Sequence, residues 1–245
     1  MAADLAVVIP ARFESSRFPG KPLVDLDGVP MVVRTHRQCV SAVDASMVFV
    51  ATDDQRIAAV CRSEGIEVIE TSSGCLTGTD RVAECAEILG VNTLVNVQGD
   101  EPVIDPADVA TMVEAALAEP DEVLNGYCGI EDEAAYRDPS VPKAVVAPDG
   151  RLLYMSRGPV PASKGGTFRM AWRQVCIYAF PRAALRAFAD HGVKSRLEDI
   201  EDIEILRFLE MGWTVRMVLL SDTSIPVDDP ADVERVLAAI RSRGL

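Results

Sequence analysis

The stretch LAVVIPARFESSRFPGKPL, residues 5–23, decides how the chain reads. Leu5 to Pro10 form a short, unbroken apolar run. Such a run, without polar alternation, predicts a strand buried on both faces, as inside a parallel sheet. Prolines and a glycine then break regular structure, and a loop is expected to about Val29. Residues 30–43 read as a helix. In a doubly wound sheet, ligands bind at the carboxyl ends of strands, which is where this loop lies. The loop carries Arg12, Arg17 and Lys21 within ten residues, while Ser15, Ser16 and Gly20 leave its backbone amides approachable. Guanidinium forks and backbone N–H groups in that setting suit the oxygens of a polyphosphate. The Gly-x-x-x-x-Gly-Lys-Ser/Thr spacing is missing, so the loop is not a Walker A motif. The plainer reading is a solvated basic loop.

Working outward, apolar runs at 47–51, 66–69, 93–97, 174–180 and 214–220 predict further strands. Helices are expected at 55–64 and 79–89. Asp105-Pro106 opens another, with Asp as N-cap and Pro in the first turn. Its face is Val109, Met112, Val113, Ala116 and Leu117, at helical spacing. Ser195 and Glu198 form a capping-box pattern for a helix over 196–211. Asp229-Pro230 starts the last helix. Strands alternating with helices give an α/β class: one domain over 1–245, with a mostly parallel sheet and helices on both faces. Residues 121–172 are richer in Pro, Gly and Asp and read as an insertion bearing short strands.

Composition narrows the function. Lys plus Arg number 24 and Asp plus Glu 38, a formal charge of −14. A general nucleic-acid binder needs a basic footprint, so that class is excluded. There are six cysteines, no Cys-x-x-Cys pair, and two histidines, His36 and His191. A zinc site of Cys and His is not expected, and the thiols read as small core residues of a reduced protein. The N-terminus lacks a signal-peptide pattern, and no apolar run approaches the roughly 20 residues of a membrane span. A cytoplasmic protein is expected.

Two acidic turns add chemistry. Asn96-Val97-Gln98-Gly99-Asp100-Glu101-Pro102 follows a strand, and Gly99 permits a tight turn that presents Asp100. A carboxylate there suits Mg²⁺, which takes one or two carboxylates with phosphate oxygens and water. Ile225-Pro226-Val227-Asp228-Asp229-Pro230 offers Asp228 as a second ligand, since Asp229 is accounted for as the cap. The simpler readings are an ordinary Gly-Asp turn and an acid favoured by the helix dipole.

In combination these segments carry a resemblance. The 9–23 loop, Thr77-Gly78-Thr79-Asp80-Arg81, the 96–102 turn, Leu153-Tyr154-Met155-Ser156-Arg157, Ile177-Tyr178 and Val227-Asp228-Asp229-Pro230 occur in one order and spacing. The chain closely resembles the CMP-Kdo synthetases (3-deoxy-manno-octulosonate cytidylyltransferases) over essentially its whole length. The resemblance implies a homodimeric nucleotide-diphospho-sugar transferase-like fold that couples CTP to a sugar acid and releases pyrophosphate. It places Pro10, Ala11, Arg12, Ser16, Arg17, Lys21, Gly78, Thr79 and Arg81 at the nucleotide, with Asp100 and Asp228 holding Mg²⁺. Lys21 and Arg17 would hold the leaving group, with Asp100 beside them in catalysis. Gln98, Arg157 and Tyr178 match positions around the acceptor, as do Gln174 and Glu204.

The chain also departs from the family pattern. Gly74-Cys75-Leu76-Thr77 stands where His-x-x-Gln usually precedes Ser-Gly-Thr. Gln174-Val175-Cys176-Ile177-Tyr178 replaces His-Leu-Gly-Ile-Tyr, and Glu204-Ile205-Leu206-Arg207 replaces Glu-Gln-Leu-Arg. Losing Gln to Ile205 would leave polyol hydroxyls unpaired, at about 1–3 kcal/mol for each buried group. Hence the expectation of a retained CTP half and an altered anionic acceptor, such as the small phosphonocarboxylate phosphonoformate. A true Kdo or amino-Kdo enzyme is the alternative. A nucleotide-sugar-dependent glycosyltransferase shares the sheet but would present Asp-x-Asp, and a catalytically silent nucleotide binder would not need both metal aspartates. The acids Glu198, Asp199, Glu201, Asp202 and Glu204 read as a solvated helix face over a buried stripe of Leu197, Ile200, Ile203 and Leu206. Trp172 and Trp213 are assigned to packing or to a dimer interface.

Overall fold

The computed structural model describes residues 4–14 and 18–245. Strand β1 (Leu5–Pro10) is buried along its whole length, as its apolar run requires. A two-strand ribbon, β2 (Asp25–Leu26) and β3 (Val29–Pro30), leads into helix α1 (Met31–Ala42). Strand β4 (Val48–Thr52), helix α2 (Gln55–Ser63) and strand β5 (Val68–Glu70) follow, then α3 (Gly78–Leu89), β6 (Thr93–Val97) and α4 (Pro106–Ala118). The order in space is β5-β4-β1-β6, all parallel.

The second half is mixed. Strand β7 (Val123–Ile130) is parallel to β11 (Val215–Leu219) at the far edge. Strand β10 (Ala171–Pro181) runs antiparallel between β6 and β7, with its register shifting between Val175 and Tyr178. Between β7 and β10 come α5 (Glu133–Arg137), β8 (Lys143–Val146) and β9 (Leu152–Ser156), with β8 paired to both β10 and β9. Thus β7 belongs to the main sheet, and the embellishment begins after Ile130. Residues 123–130 hide this because Asn125, Gly126 and Gly129 interrupt the apolar run.

Apolar faces of α1, α2 and α4 cover one side of the sheet through Val33, Cys39, Ile57 and Met112. On the other side lie α3, α6 (Arg182–His191) and two short helices, α7 (Arg196–Glu201) and α8 (Ile205–Glu210). Here the rings of Phe180, Phe208 and Phe188 form a stack, with centroids 5.2 and 4.8 Å apart. Each such pair adds about 0.5–1.5 kcal/mol beyond its buried area. Helix α9 (Asp232–Arg243) closes a smaller cluster with Leu26, Met31, Val103 and Val227.

Three expectations are corrected. The helix expected over 196–211 is two helices, because Asp202 adopts a left-handed conformation with φ 51°. The break turns Ile200 outward, so Ile200 is not part of the buried stripe, while Ile203 and Leu206 are buried. The last helix begins at Asp232; the Asp229 carboxylate instead accepts from Ala231 N–H in the turn before it. The backbone N–H groups of Asp228 and Asp229 in turn donate to the Asp232 carboxylate. Of the cysteines, Cys39, Cys61, Cys85 and Cys128 are buried and Cys75 and Cys176 half-buried; all are free thiols. Both tryptophans pack against the core on the α3 side. No helix among the described residues is long and apolar enough to cross a membrane.

Candidate active site

The carboxyl ends of β1 and β6 lie side by side because Gly99 allows it. A Cβ at Gly99 would stand 2.8 Å from the carbonyl oxygen of Pro10. The Gly99 carbonyl also accepts from Thr35 Oγ1 of α1 at 3.2 Å. The two loops leaving these strands therefore face each other across a cleft. Pro10, Ala11, Arg12 and Lys21 line one side, Gln98, Gly99 and Asp100 the other. Thr77, Gly78 and Arg81 from the start of α3 close one end, together with Glu204, and Asp228 completes the lining.

Lys21 ties three distant segments together. Its Nζ donates to Asp100 Oδ2 at 2.7 Å and to the Val227 carbonyl at 2.8 Å. Val227 N–H donates to the Asp100 carbonyl at 2.9 Å. The turn that carries Asp228 is thus fastened to the turn that carries Asp100. Gly20 precedes Lys21 in a left-handed conformation (φ 75°), and a Cβ there would press on the Phe13 ring at 3.1 Å. Ser16 and Arg17, expected at the phosphates, lie outside the described residues.

Behind Asp100 sits Glu101, only 2% exposed, which accepts from Ser224 Oγ. Burial, reinforced by Asp100, pushes its carboxyl up to about 7, against the pull of Ser224 and Arg173. Tyr178 pairs in register with Asn96 on β6. Burial raises its phenol well above the usual range, and the neighbouring Cys176, Glu204 and Asp100 raise it further. Tyr178 is therefore a neutral hydroxyl at ordinary pH. Both polar atoms of the Asn96 side chain are buried without a hydrogen-bond partner.

The start of α3 is held in detail. Thr77 and Asp80 form a capping box, with Asp80 Oδ2 accepting from Thr77 N at 2.9 Å and Oγ1 at 2.7 Å. Glu204 reaches over from the α7–α8 turn. Its carboxylate accepts from Thr79 N at 2.9 Å, Thr79 Oγ1 at 2.5 Å and Gly78 N at 3.3 Å. A carboxylate is stabilised at a helix N-terminus, where N–H groups and the dipole both favour negative charge. Arg81, 4% exposed, pairs with Asp53 at 3.0 Å and donates to Thr71 Oγ1.

Of the expected acceptor residues, Gln98 and Glu204 line the cleft, whereas Tyr178, Arg157 and Gln174 do not. Arg157 spends its guanidinium on the main-chain carbonyls of Glu201, Asp202 and Pro139, at 2.5, 3.0 and 3.0 Å. It caps the end of α7 rather than facing the cavity. Gln174 is buried and donates to Asn125 Oδ1 at 2.9 Å, inside the β7–β10 pairing. Of the acids of 198–204, Asp199 and Asp202 are exposed as a solvated face requires, but the others are not. Glu198 is 1% exposed and forked to Arg207 through two contacts of 2.6 Å. Glu201 accepts from Tyr154, Ser156 and Arg157 N–H. Ile205 lies 1% exposed in the core cluster beside Phe208.

With this geometry, the sequence profile of the cytidylyltransferase family matches residues 6–218. The chain belongs to the cytidylyltransferase family. This cytidylyltransferase is 43% identical over 244 residues to the 3-deoxy-manno-octulosonate cytidylyltransferase of Myxococcus xanthus, covering 97% of this chain and 96% of that one. It is 34% identical over 235 residues to the 8-amino-3,8-dideoxy-manno-octulosonate cytidylyltransferase of Shewanella halifaxensis, covering 94% and 96%. Among solved structures it is similar to a CMP:2-keto-3-deoxy-manno-octonic acid synthetase complexed with CTP. That match has a TM-score of 0.89 at 33% identity and covers 98% of this chain and 99% of the other. A glucose-1-phosphate thymidylyltransferase from Bacillus anthracis matches at TM-score 0.68 and 15% identity, which shows a shared fold alone. The nucleotide-diphospho-sugar transferase-like sheet read from the sequence is thus the observed one.

Glu101, Arg207 and Lys143 were not singled out by sequence reasoning, and Glu198 only as the capping-box partner of Ser195, a box that the structure contains. Lys143 is fully buried and donates to the carbonyls of Asp138 and Arg157, both at 2.7 Å. A lysine inside the apolar pattern Val141–Val146 is the one signal that could have marked it. Glu198 and Arg207 stand nine residues apart, across a helix break that no spacing rule reveals.

Proposed function

We propose that this cytidylyltransferase transfers CMP from CTP to 3-deoxy-manno-octulosonate and releases pyrophosphate. The observation that carries the reading is the cleft itself, where Arg12, Lys21 and the α3 start face Asp100 and Asp228. The names of the relatives supply the acceptor class. Of the departures from the family pattern, Ile205 lies in the core and Gln174 on Asn125, away from the cleft, while Cys75 and Thr77 stand on its lining. The apolar Ile205 therefore removes no polar group from the cavity. Gln98 and Glu204 remain on its lining, and Tyr178 adjoins them.

In the reaction, an acceptor hydroxyl oxygen bonds to the α-phosphorus as the bond to the β-phosphate oxygen breaks in line, and the hydroxyl proton passes to solvent as pyrophosphate leaves. Arg12 and Lys21 hold the triphosphate; Lys21 exchanges its pairing with Asp100 for phosphate oxygens. The family resemblance would add Ser16 and Arg17, which lie outside the described residues, to this grip. Arg157 acts from behind, by holding the turn that carries Glu204.

The donor set fits Mg²⁺. Among the described residues no three His, Cys, Asp or Glu side chains converge as a complete cage. Asp100 and Asp228 are two hard carboxylates on fastened turns, the number Mg²⁺ takes beside phosphate oxygens and water. Mg²⁺ held by these two residues would supply Lewis-acid polarisation of the phosphoryl oxygens. The proposal includes a homodimer in the cytoplasm, where CTP is available. The exposed apolar side chains Leu153, Val193 and Ile200 support the assembly, which light scattering would test.

The deciding experiment measures pyrophosphate release from CTP and Mg²⁺ with Kdo, its 8-amino analogue or phosphonoformate. The highest kcat/KM is expected with Kdo. Preference for phosphonoformate, or turnover of a nucleotide sugar without pyrophosphate, overturns the reading.

A further inference from the structure

Arg207 is fully buried, and none of its atoms lines the cleft. Its guanidinium forks onto Glu198, with Nε and Nη2 each 2.6 Å from a carboxylate oxygen. Nη1 donates to the Phe188 carbonyl at 3.3 Å, and the group lies over the Phe188 ring at 3.6 Å from its centroid. Nη1 also stands 3.5 Å from Asp80 Oδ1. The other oxygen of Asp80 is the one that holds Thr77 in the capping box. One carboxylate is thus shared between Arg207 and the first turn of α3.

Three residues earlier, Glu204 grips the same turn through Gly78 and Thr79. The first turn of α3 is therefore held from two directions by one short segment. Glu204 holds it from the cleft side and Arg207 from behind. We propose that Arg207 is a positioning residue for CTP binding: through Glu198 and Asp80 it sets the α3 start, and with it Gly78, Thr79 and Arg81, against the nucleotide.

The physical case rests on what a buried fork can and cannot do. Removing charges from water is costly, so a buried ion pair is weak evidence for stability, and apolar side chains of similar volume often replace one at no loss. What apolar side chains cannot reproduce is the direction of the bonds. A planar guanidinium fixes its partners in distance and angle at once. Here the partners are a helix in the core and a carboxylate at the edge of the binding cleft. A single lysine ammonium would pair with Glu198 but could not reach Asp80 in the same geometry.

The test compares Arg207→Met, the double variant Glu198→Met with Arg207→Met, and Arg207→Lys. The probe is CTP with Mg²⁺, read by calorimetry, so the result does not depend on which acceptor the enzyme uses. Arg207→Met strands Glu198 and is expected to lower both Tm and CTP affinity. The double variant is expected to recover the Tm to within about 3 °C of the parent. Its CTP affinity should stay about tenfold weaker, because small misplacements at a binding site are magnified. Arg207→Lys, read at a temperature where it and the parent are fully folded, should show a similar weakening. Faster amide exchange at Gly78 and Thr79 should accompany it. If CTP affinity returns with Tm in the double variant, Arg207 is merely structural and the inference fails. If the double variant does not recover its Tm, Arg207→Lys decides alone, and CTP affinity within twofold of the parent overturns the proposal.

Discussion

Gly99→Ala tests whether the cleft depends on how closely β1 and β6 end together. The new Cβ would lie 2.8 Å from the Pro10 carbonyl oxygen, 3.6 Å from Ile9 Cγ2 and 3.8 Å from Ala11 Cβ. The closest neighbour is backbone, which cannot swing aside like a side-chain tip. Restoring an ordinary separation of about 3.4 Å means parting the two strand ends by roughly 0.6 Å. Overpacking of this kind costs about 1–3 kcal/mol. For a chain of this length each kcal/mol moves Tm by about 2–4 °C, so a fall of roughly 2–12 °C is expected. The catalytic penalty should be larger in proportion. Asp100 follows Gly99 directly, and a misplacement of about 1 Å at a reacting centre can cost 10²-fold, so kcat/KM should fall by about tenfold or more. The assay pairs calorimetric unfolding with pyrophosphate release from CTP. Gly129→Ala is the control, since a Cβ there meets nothing within 4 Å. A Gly99→Ala protein with Tm within about 1 °C and kcat/KM within about twofold of the parent would refute the close-approach argument.

Asp100→Asn keeps the shape of the turn but removes a hard carboxylate, and should lower Mg²⁺-dependent turnover by about 100-fold; full activity with Mg²⁺ would remove Asp100 from the metal site. Glu204→Ala leaves the Gly78 and Thr79 amides without their charged partner and should cost about 1 kcal/mol in urea unfolding, with a weakened acceptor KM; an unchanged midpoint would mean that water replaces the carboxylate fully. His36, half-buried in α1, has its pKa lowered chiefly by burial and then by Arg37. The folded protein therefore keeps it neutral while the unfolded chain begins to protonate near 6.5, so stability is lost as pH falls below that value. His36→Gln should flatten this limb of the Tm profile, and an unchanged slope would assign it to the carboxylates.

The parallel half of the sheet was legible because a strand buried on both faces must be apolar throughout, and β1, β4 and β6 are nearly so. The cleft residues that touch it by backbone position, Arg12, Lys21, Gln98 and Asp100, were legible for the same reason: a loop after a parallel strand has one place to be. Strand β7 was not, since its core contacts need Gly126, where a Cβ would come within 2.5 Å of Leu220 Cδ1. A glycine kept for packing reads in sequence like a turn. The break at Asp202 was hidden because Leu197, Ile203 and Leu206 keep apolar spacing through it. Arg157 exposes a different limit. Its place next to the sheet could be inferred, but a guanidinium on three carbonyls and one on a substrate look alike in sequence.

Strand β10 runs against its neighbours, and this has a consequence for the segment that precedes it. Because β7 ends at Ile130 and β10 begins opposite it at Ala171, the forty residues between them depart from and return to the sheet at one point. That segment is tied back at two places: β8 pairs with β10, and Arg157 holds the turn that carries Glu204. A change in the length of this segment would therefore be felt at Glu204, at the cleft wall, through the hold of Arg157.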